Sequence, residues 1–284
     1  MEAATSLLGL IDLDSRIEVL DVGAADTAEE PPYKPLLELG VAHLNAFEGD
    51  ARHIRQIQEN WGDRATVFSD FLFDGTQRNL YLASAPSGMT SLLKPNVTAL
   101  RFFNGFEWLG QLERVERVQT RRLDDIAEVP RLDLVKMDIQ GAELTVLKNG
   151  LEKLANCVAV QLEVSWITLY EDQPAFGEVD TWMREQGFTP HALPNVKRWS
   201  IAPTVFDNVV NVSGNQLLEA DIVYVRDPLR LNLLPVSPLK KLAAIAHHCY
   251  GSYDLCVFVL LELAKRGAVP EDAADRYLAG QKTF

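Results

Sequence analysis

Short apolar runs alternate along this chain with longer mixed stretches. Residues 17–22 (IEVLDV), 41–47 (VAHLNAF), 65–68 (ATVF), 132–138 (LDLVKMD) and 158–164 (VAVQLEV) are such runs, most of them closed by Gly, Asp or Ser. Runs of this length with turn residues after them read as buried strands. Residues 36–39, 51–61, 142–149 and 176–186 read as helices, with Gly150 and Gly187 as C-terminal stops. Residues 79–83 (NLYLA) read as a further extended piece, and 188–193 with 220–225 as a closing strand pair. Strands that alternate with helices predict an α/β fold built on a doubly wound, mostly parallel sheet.

Two stretches depart from the alternation. In residues 84–118, Gly, Pro and Asn mix with Phe102, Phe103, Phe106 and Trp108. That composition predicts an insertion packed over the sheet edge, the usual place for a lid. After Pro235 the pattern turns helical over 239–266 and again over 273–278. The expected organisation is one domain over 1–231 and a small C-terminal helical appendage over 232–284. An apolar helix such as 255–263 needs a buried face. That face is met within the chain or by a second copy, so a homodimer through these helices is one expectation.

The balance of charge narrows the partners. The chain has 284 residues and a formal net charge of −13, which argues against a nucleic-acid binder. Arg114, Arg117, Arg121 and Arg122 read as a solvated face. The cysteines, Cys157, Cys249 and Cys256, are odd in number and form no CxxC, so neither a disulfide framework nor a structural zinc is expected. The first residues lack a basic region, and the longest apolar run, 255–261, is too short for a membrane span. A cytoplasmic protein is expected.

The candidate chemistry centres on residues 132–150, LDLVKMDIQGAELTVLKNG. Lys136 and Asp138 lie in an apolar strand, where charges persist only when paired or functional. A Gly turn and a helix opening at Glu143 follow, so Asp138 falls at the carboxyl edge of the sheet, where open α/β folds bind ligands. The plainer reading is a buried Lys–Asp pair that fixes strand and helix. Glu163 in QLEVSW is a second acid near a strand end, next to Asp138 if those strands pair. Two such acids share a proton, bind a metal, or divide the work of base and orienter.

In VLDVGAAD, Asp21 and Gly23 end the first strand, and a residue without Cβ lets backbone approach a ligand. Ala24, Ala25 and Asp26 replace the later glycines of a dinucleotide fingerprint, so a nicotinamide oxidoreductase is disfavoured and a cofactor without phosphates fits better. Glu48 follows the glycine turn by about 20–25 residues, the place of an acid that binds a ribose diol. Ser69 and Asp70 follow the third strand, where an adenine would lie; alone they read as a polar turn.

Taken together, LDVGA (20–24), AFEGD (46–50), SLL (91–93), TRRLDDI (120–126), the segments 133–150 and 161–188, and ADIVYVRD (220–227) resemble the FkbM-type S-adenosylmethionine-dependent methyltransferases. The resemblance runs in order over about 17–230. It implies a class I, Rossmann-like methyltransferase fold and methyl transfer, usually to a hydroxyl, on polyketide-type or sugar-containing acceptors. By position, Asp21, Gly23 and Ala24 would line the methionine end of the cofactor, Glu48 would hold its ribose, and Ser69 or Asp70 would lie near adenine. Asp138 would sit where the sulfonium meets the acceptor. The chain departs from the family at Gln140, often Glu, at Gly49, often Pro, and at Ala25, Asp26 and Thr27, usually Asn and Gly. Ala25, Asp26 and Gln140 favour a rival expectation, a degenerate methyltransferase fold that serves as a binding or scaffold subunit.

For O-methyl transfer the candidate bases are Asp138 first, then Glu163 and His191. A divalent metal such as Mg²⁺, if used, would draw its oxygen ligands from Asp138 and Glu163. The expected partner is a small-molecule or glycan acceptor. Trp166, Tyr170, Trp182, Trp199 and the aromatics at 102–108 either stack against such an acceptor or pack the core and lid.

Overall fold

The computed structural model describes residues 6–24, 30–84, 88–209 and 214–281. The first half of the chain forms α1 (Leu7–Ile11), β1 (Ile17–Val22), α2 (Lys34–Glu38), β2 (Ala42–Phe47), α3 (Ala51–Trp61) and β3 (Ala65–Phe68). The inserted part adds β4 (Phe71–Leu72), β5 (Gln77–Ala83), α4 (Val97–Phe102), α5 (Phe106–Leu109) and β6 (Leu112–Arg121). The second half forms β7 (Leu134–Met137), α6 (Glu143–Lys148), β8 (Ala159–Ser165), α7 (Phe176–Glu185), β9 (Phe188–Arg198) and β10 (Leu217–Arg226). Three helices close the chain: α8 (Val236–Tyr250), α9 (Tyr253–Lys265) and α10 (Ala273–Gly280).

Seven strands make the main sheet, in the order β3-β2-β1-β7-β8-β10-β9. All pairs from β3 to β8 are parallel, and β10 runs antiparallel to both β8 and β9. The doubly wound, mostly parallel sheet expected from the alternation is therefore present. Winding reverses between β1 and β7, and such a switch point opens a crevice beyond the carboxyl ends of the two strands.

The runs are almost wholly apolar because both faces of the sheet are covered. Ile17, Val19, Leu44, Leu134, Ala159 and Val223 pack with α1, α2, α8 and α9. Leu20, Val22, Val135, Met137, Val160 and Leu162 pack on the other face with α6 and α7. Side chains alternate along a strand, so Asp21, Lys136, Asp138 and Glu163 continue the first set. They stand where its apolar rows run out, at the carboxyl edge.

The helical pattern over 239–266 divides at Gly251, whose φ of +58° ends α8. Leu239 to Ala246 of α8 and Leu255, Cys256, Val259, Leu260 and Leu263 of α9 are buried in the same core as β1 and β2. Lys241 Nζ reaches Asp133 Oδ2 at 2.7 Å and Lys240 Nζ reaches Asp12 O at 2.8 Å. The face of α9 that carries Leu255, Val259 and Leu263 is thus covered by the chain itself, while Phe258 and Leu261 stay about half exposed. Among the described residues no helix is long and apolar enough to cross a membrane.

The insertion has its own small core. Ala99, Leu100, Phe103 and Phe106 pack with Leu169, Tyr170 and Leu218, and Trp199 leans on them. Next to it β5 and β6 pair antiparallel. The pattern does not predict β6, because LERVERVQTR repeats its apolar positions every third residue and most of the strand is exposed.

Candidate active site

At the switch point the ends of β1 and β7 touch. Gly23 has φ +79°, and a Cβ there would lie 2.2 Å from Asp138 O. Asp138 N donates to Val22 O at 3.1 Å, and Gly23 N donates to Phe47 O at 3.0 Å. Only glycine allows this closeness and this backbone conformation together.

Asp21, just before the turn, is buried. Its Oδ2 accepts from Tyr33 Oη at 2.6 Å and its Oδ1 from Lys136 Nζ at 3.3 Å. The buried Lys–Asp pair of the plainer reading therefore exists, but its acid is Asp21 rather than Asp138. Strand register is the reason, since Asp21 lies directly opposite Lys136. Burial works against the ammonium, yet Asp21, Asp138 and Asp221 outweigh it and hold Lys136 above its ordinary range. Burial, with Asp21 adding to it, holds the Tyr33 phenol well above its usual range.

Beyond β7 the backbone turns through Gln140, φ +58°, and Gly141, φ +96°. Glu143 braces the turn from the first residue of α6: its Oε1 accepts from Ile139 N at 3.0 Å and Gly141 N at 3.2 Å. Burial pushes the Glu143 carboxyl up to about 7. Glu143 thus faces its own loop. Ser91, from the SLL segment, donates to Gln140 O at 2.8 Å.

β7 and β8 pair with Met137 opposite Leu162, so the next position brings Asp138 beside Glu163. Between the two carboxyls lies the Gln140 amide. Its Nε2 donates to Asp138 Oδ1 at 2.8 Å and to Glu163 Oε2 at 2.7 Å. Tyr170 Oη donates to Gln140 Oε1 at 2.7 Å, which fixes the orientation of the amide. Lys197 Nζ lies 3.3 Å from Glu163 Oε1 and 2.6 Å from Glu219 Oε1. Burial, Asp138 and Glu219 lift the Glu163 carboxyl well above its ordinary range, against the pull of Lys197. The two acids thus stay side by side, bridged by the Gln140 amide.

Glu48 ends β2. Its Oε1 accepts from Asp50 N at 2.7 Å, and Asp50 in turn caps α3 by accepting from Arg52 N at 2.8 Å. Ala24 is buried beside the glycine turn. Ser69 is exposed, and Asp70 Oδ1 lies 3.5 Å from Arg121 Nη1. The Phe47 and Phe68 rings stack at 4.7 Å at the adjoining strand ends. Ala25, Asp26 and Thr27 lie outside the described residues.

His191 is held apart from these groups. It lies on β9, and its Nε2 meets Ser252 Oγ, on the turn between α8 and α9, at 2.7 Å. Burial lowers its pKa. The residues that sequence reasoning missed as site groups are Tyr170, Lys197 and Gln140. Gln140 stood out only as a departure from the family, Tyr170 only as an aromatic, and Lys197 lies on an edge strand with no local motif.

The acids suit a nucleoside and an amino acid better than a phosphate: Asp21, Glu48, Asp70 and Asp138 all lie at or just past strand ends, and Gly23 leaves the backbone bare. The donor set does not suit a cation. Gln140 directs N–H donors at an oxygen of each carboxyl, and among the described residues no group of three or more His, Cys, Asp or Glu is placed to hold a metal.

The profile of the methyltransferase FkbM domain matches residues 21–190. The chain is 30% identical over 167 residues to the 2-O-methyltransferase NoeI of Sinorhizobium fredii (strain NBRC 101917 / NGR234), a match covering 55% of this chain and 66% of that protein. Among solved structures it is similar to a precorrin-6y C5,15-methyltransferase from Geobacter metallireducens GS-15, with TM-score 0.37 and 13% identity over 80% of this chain and 88% of that one. It is also similar to the magnesium protoporphyrin IX methyltransferase of Synechocystis PCC 6803, with TM-score 0.36 and 12% identity over 75% and 71%. Similarities this low add nothing to the sheet order, which stands on its own pairing. The profile match is of another kind, for it takes in the end of β1, all of β2, β7 and β8, and every strand-end acid described above, and by it the chain belongs to the FkbM-domain methyltransferase family.

Proposed function

We propose that this protein transfers the methyl group of S-adenosylmethionine to a hydroxyl of a sugar, a polyketide or another small metabolite. The observation that carries this reading is the Asp138–Gln140–Glu163 cluster at the switch point, inside the segment that matches the family. The rhizobial relative is by its name a 2-O-methyltransferase, which agrees with a hydroxyl acceptor. Three free thiols suit a reducing, cytoplasmic setting.

In this reading Asp21, Gly23 and Ala24 border the methionine end of the cofactor, and Ser69 and Asp70 its adenine. Glu48 holds the ribose, since a carboxylate accepts from two hydroxyls at once. When bound, S-adenosylmethionine supplies a methyl group already made electrophilic by a positive sulfonium. The chain's own work is alignment and removal of a proton. Alignment of reactants is worth about 7–11 kcal/mol when the pose is close to attack, and a positioned base adds about 10²–10⁴-fold.

Asp138 is the base, and it accepts the hydroxyl proton as the oxygen attacks. Glu163 does not compete for that role: burial and the Asp138 charge lift its pKa well above the ordinary range, and Gln140 and Lys197 hold its two oxygens. Two acids in unlike surroundings thus divide into acceptor and orienter. Gln140 keeps Asp138 Oδ1 occupied and leaves Oδ2 for the acceptor. His191 takes no part, being bonded to Ser252.

Calorimetric titration with S-adenosylmethionine and S-adenosylhomocysteine, with NAD as control, tests the cofactor. Micromolar binding of the first two, lost in Glu48→Ala, is expected. A folded sample that binds neither would turn the reading to a binding or scaffold subunit on the same fold.

A further inference from the structure

β6 is exposed on both faces from Leu112 to Arg117. One edge of the strand pairs with β5 along its length, while the other meets β4 only at Thr120 and Arg121. From Leu112 to Gln119 that second edge has no strand partner among the described residues. Open edges of this length are usually shortened, covered or interrupted, because they template pairing with another strand.

The register tells which groups face the open edge. Tyr81 of β5 lies opposite Val115 and exchanges both of its backbone bonds with Ser91, at 2.8 and 3.1 Å, on the side away from β6. Tyr81 and Val115 are therefore a non-hydrogen-bonded pair, and the N–H and C=O of Val115 point outward. Arg117, opposite Asn79 two residues along, has the same orientation. A bulge beyond Arg114 ends the regular stretch.

The side chains of this edge complement themselves. Residues 113–117 read Glu-Arg-Val-Glu-Arg. Pair the strand antiparallel with a second copy, centred on Val115, and Val115 meets Val115. Arg114 then meets Glu116 on either side of that centre, within the regular stretch. No neighbouring register does this. Centring on Arg114 or on Glu116 sets like charges opposite each other, and a half-step shift brings Arg114 against Arg117. Opposite charges directly across an antiparallel pair stabilise it and like charges destabilise it. The centre at Val115 is also the register in which outward-facing backbone groups meet as a hydrogen-bonded pair.

We propose that β6 is a dimerisation edge: two copies of this chain join by antiparallel pairing of β6 with β6 about a twofold axis through Val115. The assembly is isologous, each strand presenting the same surface to the other, and the two β5–β6 ribbons become one four-stranded sheet. Val115 is 50% exposed in the single chain and is covered on pairing. The contact is a narrow one, so the dimer is reversible, with Kd about 1–100 µM.

Sedimentation equilibrium of the full chain from about 1 to 300 µM tests this. Wild type is expected to show monomer and dimer in exchange. Val115→Pro removes an N–H that makes no strand bond within the chain, and Glu116→Arg sets Arg against Arg114 of the other copy. Each is expected to raise Kd about tenfold or more. The double variant Glu116→Arg with Arg114→Glu restores opposite charges and should recover the wild-type value. Circular dichroism checks each fold; if the proline variant unfolds, the charge swap alone decides. A monomer across the range would overturn the proposal, and so would a dimer indifferent to Glu116→Arg, whose interface must lie elsewhere.

Discussion

Gly23 and Asp138 meet backbone to backbone, so close that a methyl group on Gly23 would lie 2.2 Å from the carbonyl oxygen of Asp138. Neither partner is a side chain that can swing away. Gly23→Ala must shift the end of β1 or of β7, and it also forces an L side chain to φ +79°. A loss of at least about 3 kcal/mol in urea unfolding is expected, with methyl transfer lost beyond what unfolding explains.

Asp138→Asn separates chemistry from fold. The amide is nearly the same size and still accepts from Gln140 through its oxygen, so thermal stability should change little. Initial rates of methyl transfer should fall by about 10²–10⁴-fold, while the affinity for S-adenosylmethionine stays within a few-fold. Near wild-type turnover would remove Asp138 from the role of base.

Tyr170→Phe deletes the one hydroxyl that tells the Gln140 amide which way to face. A buried hydrogen bond left half-made costs about 1–3 kcal/mol. The expected result is a rate about tenfold or more lower, with the acidic limb of the pH–rate profile displaced, since Asp138 and Glu163 lose their fixed bridge. A variant that is merely less stable would keep the wild-type profile.

Glu143 makes stability depend on pH in the direction opposite to an ordinary surface acid. Its folded-state pKa, about 7, lies above its ordinary value of 4.5, so the native state holds this proton more tightly than the unfolded chain. The contribution is complete below about pH 4.5 and is lost as pH rises through about 7. Over that span the loss is about 3 kcal/mol. Denaturant midpoints measured at pH 5 and pH 8 should differ accordingly, and Glu143→Gln should flatten the difference.

Where the sequence carried a period or a punctuating glycine, it was legible. The runs at 17–22 and 65–68 match β1 and β3 residue for residue: β1, buried on both faces, leaves little room for polar positions, and the half-buried edge strand β3 is closed by the polar Ser69 and Asp70. Asp138 and Glu163 were readable as neighbours once their strands were taken to pair. β6 was hidden because an exposed ribbon needs no two-residue apolar period. The partner of Lys136 was misread because pairing between β1 and β7 joins residues more than a hundred positions apart, and no local rule reaches that far. Lys197 and Tyr170 come to the site from β9 and from the loop after β8. Their roles follow from packing and have no motif of their own.

The turn that carries Asp138 and Gln140 hangs by two hydroxyls, Ser91 of the insertion on its carbonyl and Tyr170, which packs in the insertion's small core, on its amide. Opening of that small core frees both at once. Amide hydrogen exchange at Ile139 to Gly141 should then follow the local opening of the insertion rather than global unfolding of the sheet a few ångströms away. The reacting end of the molecule would have the lifetime of its cover, although it is built on the strands that open last.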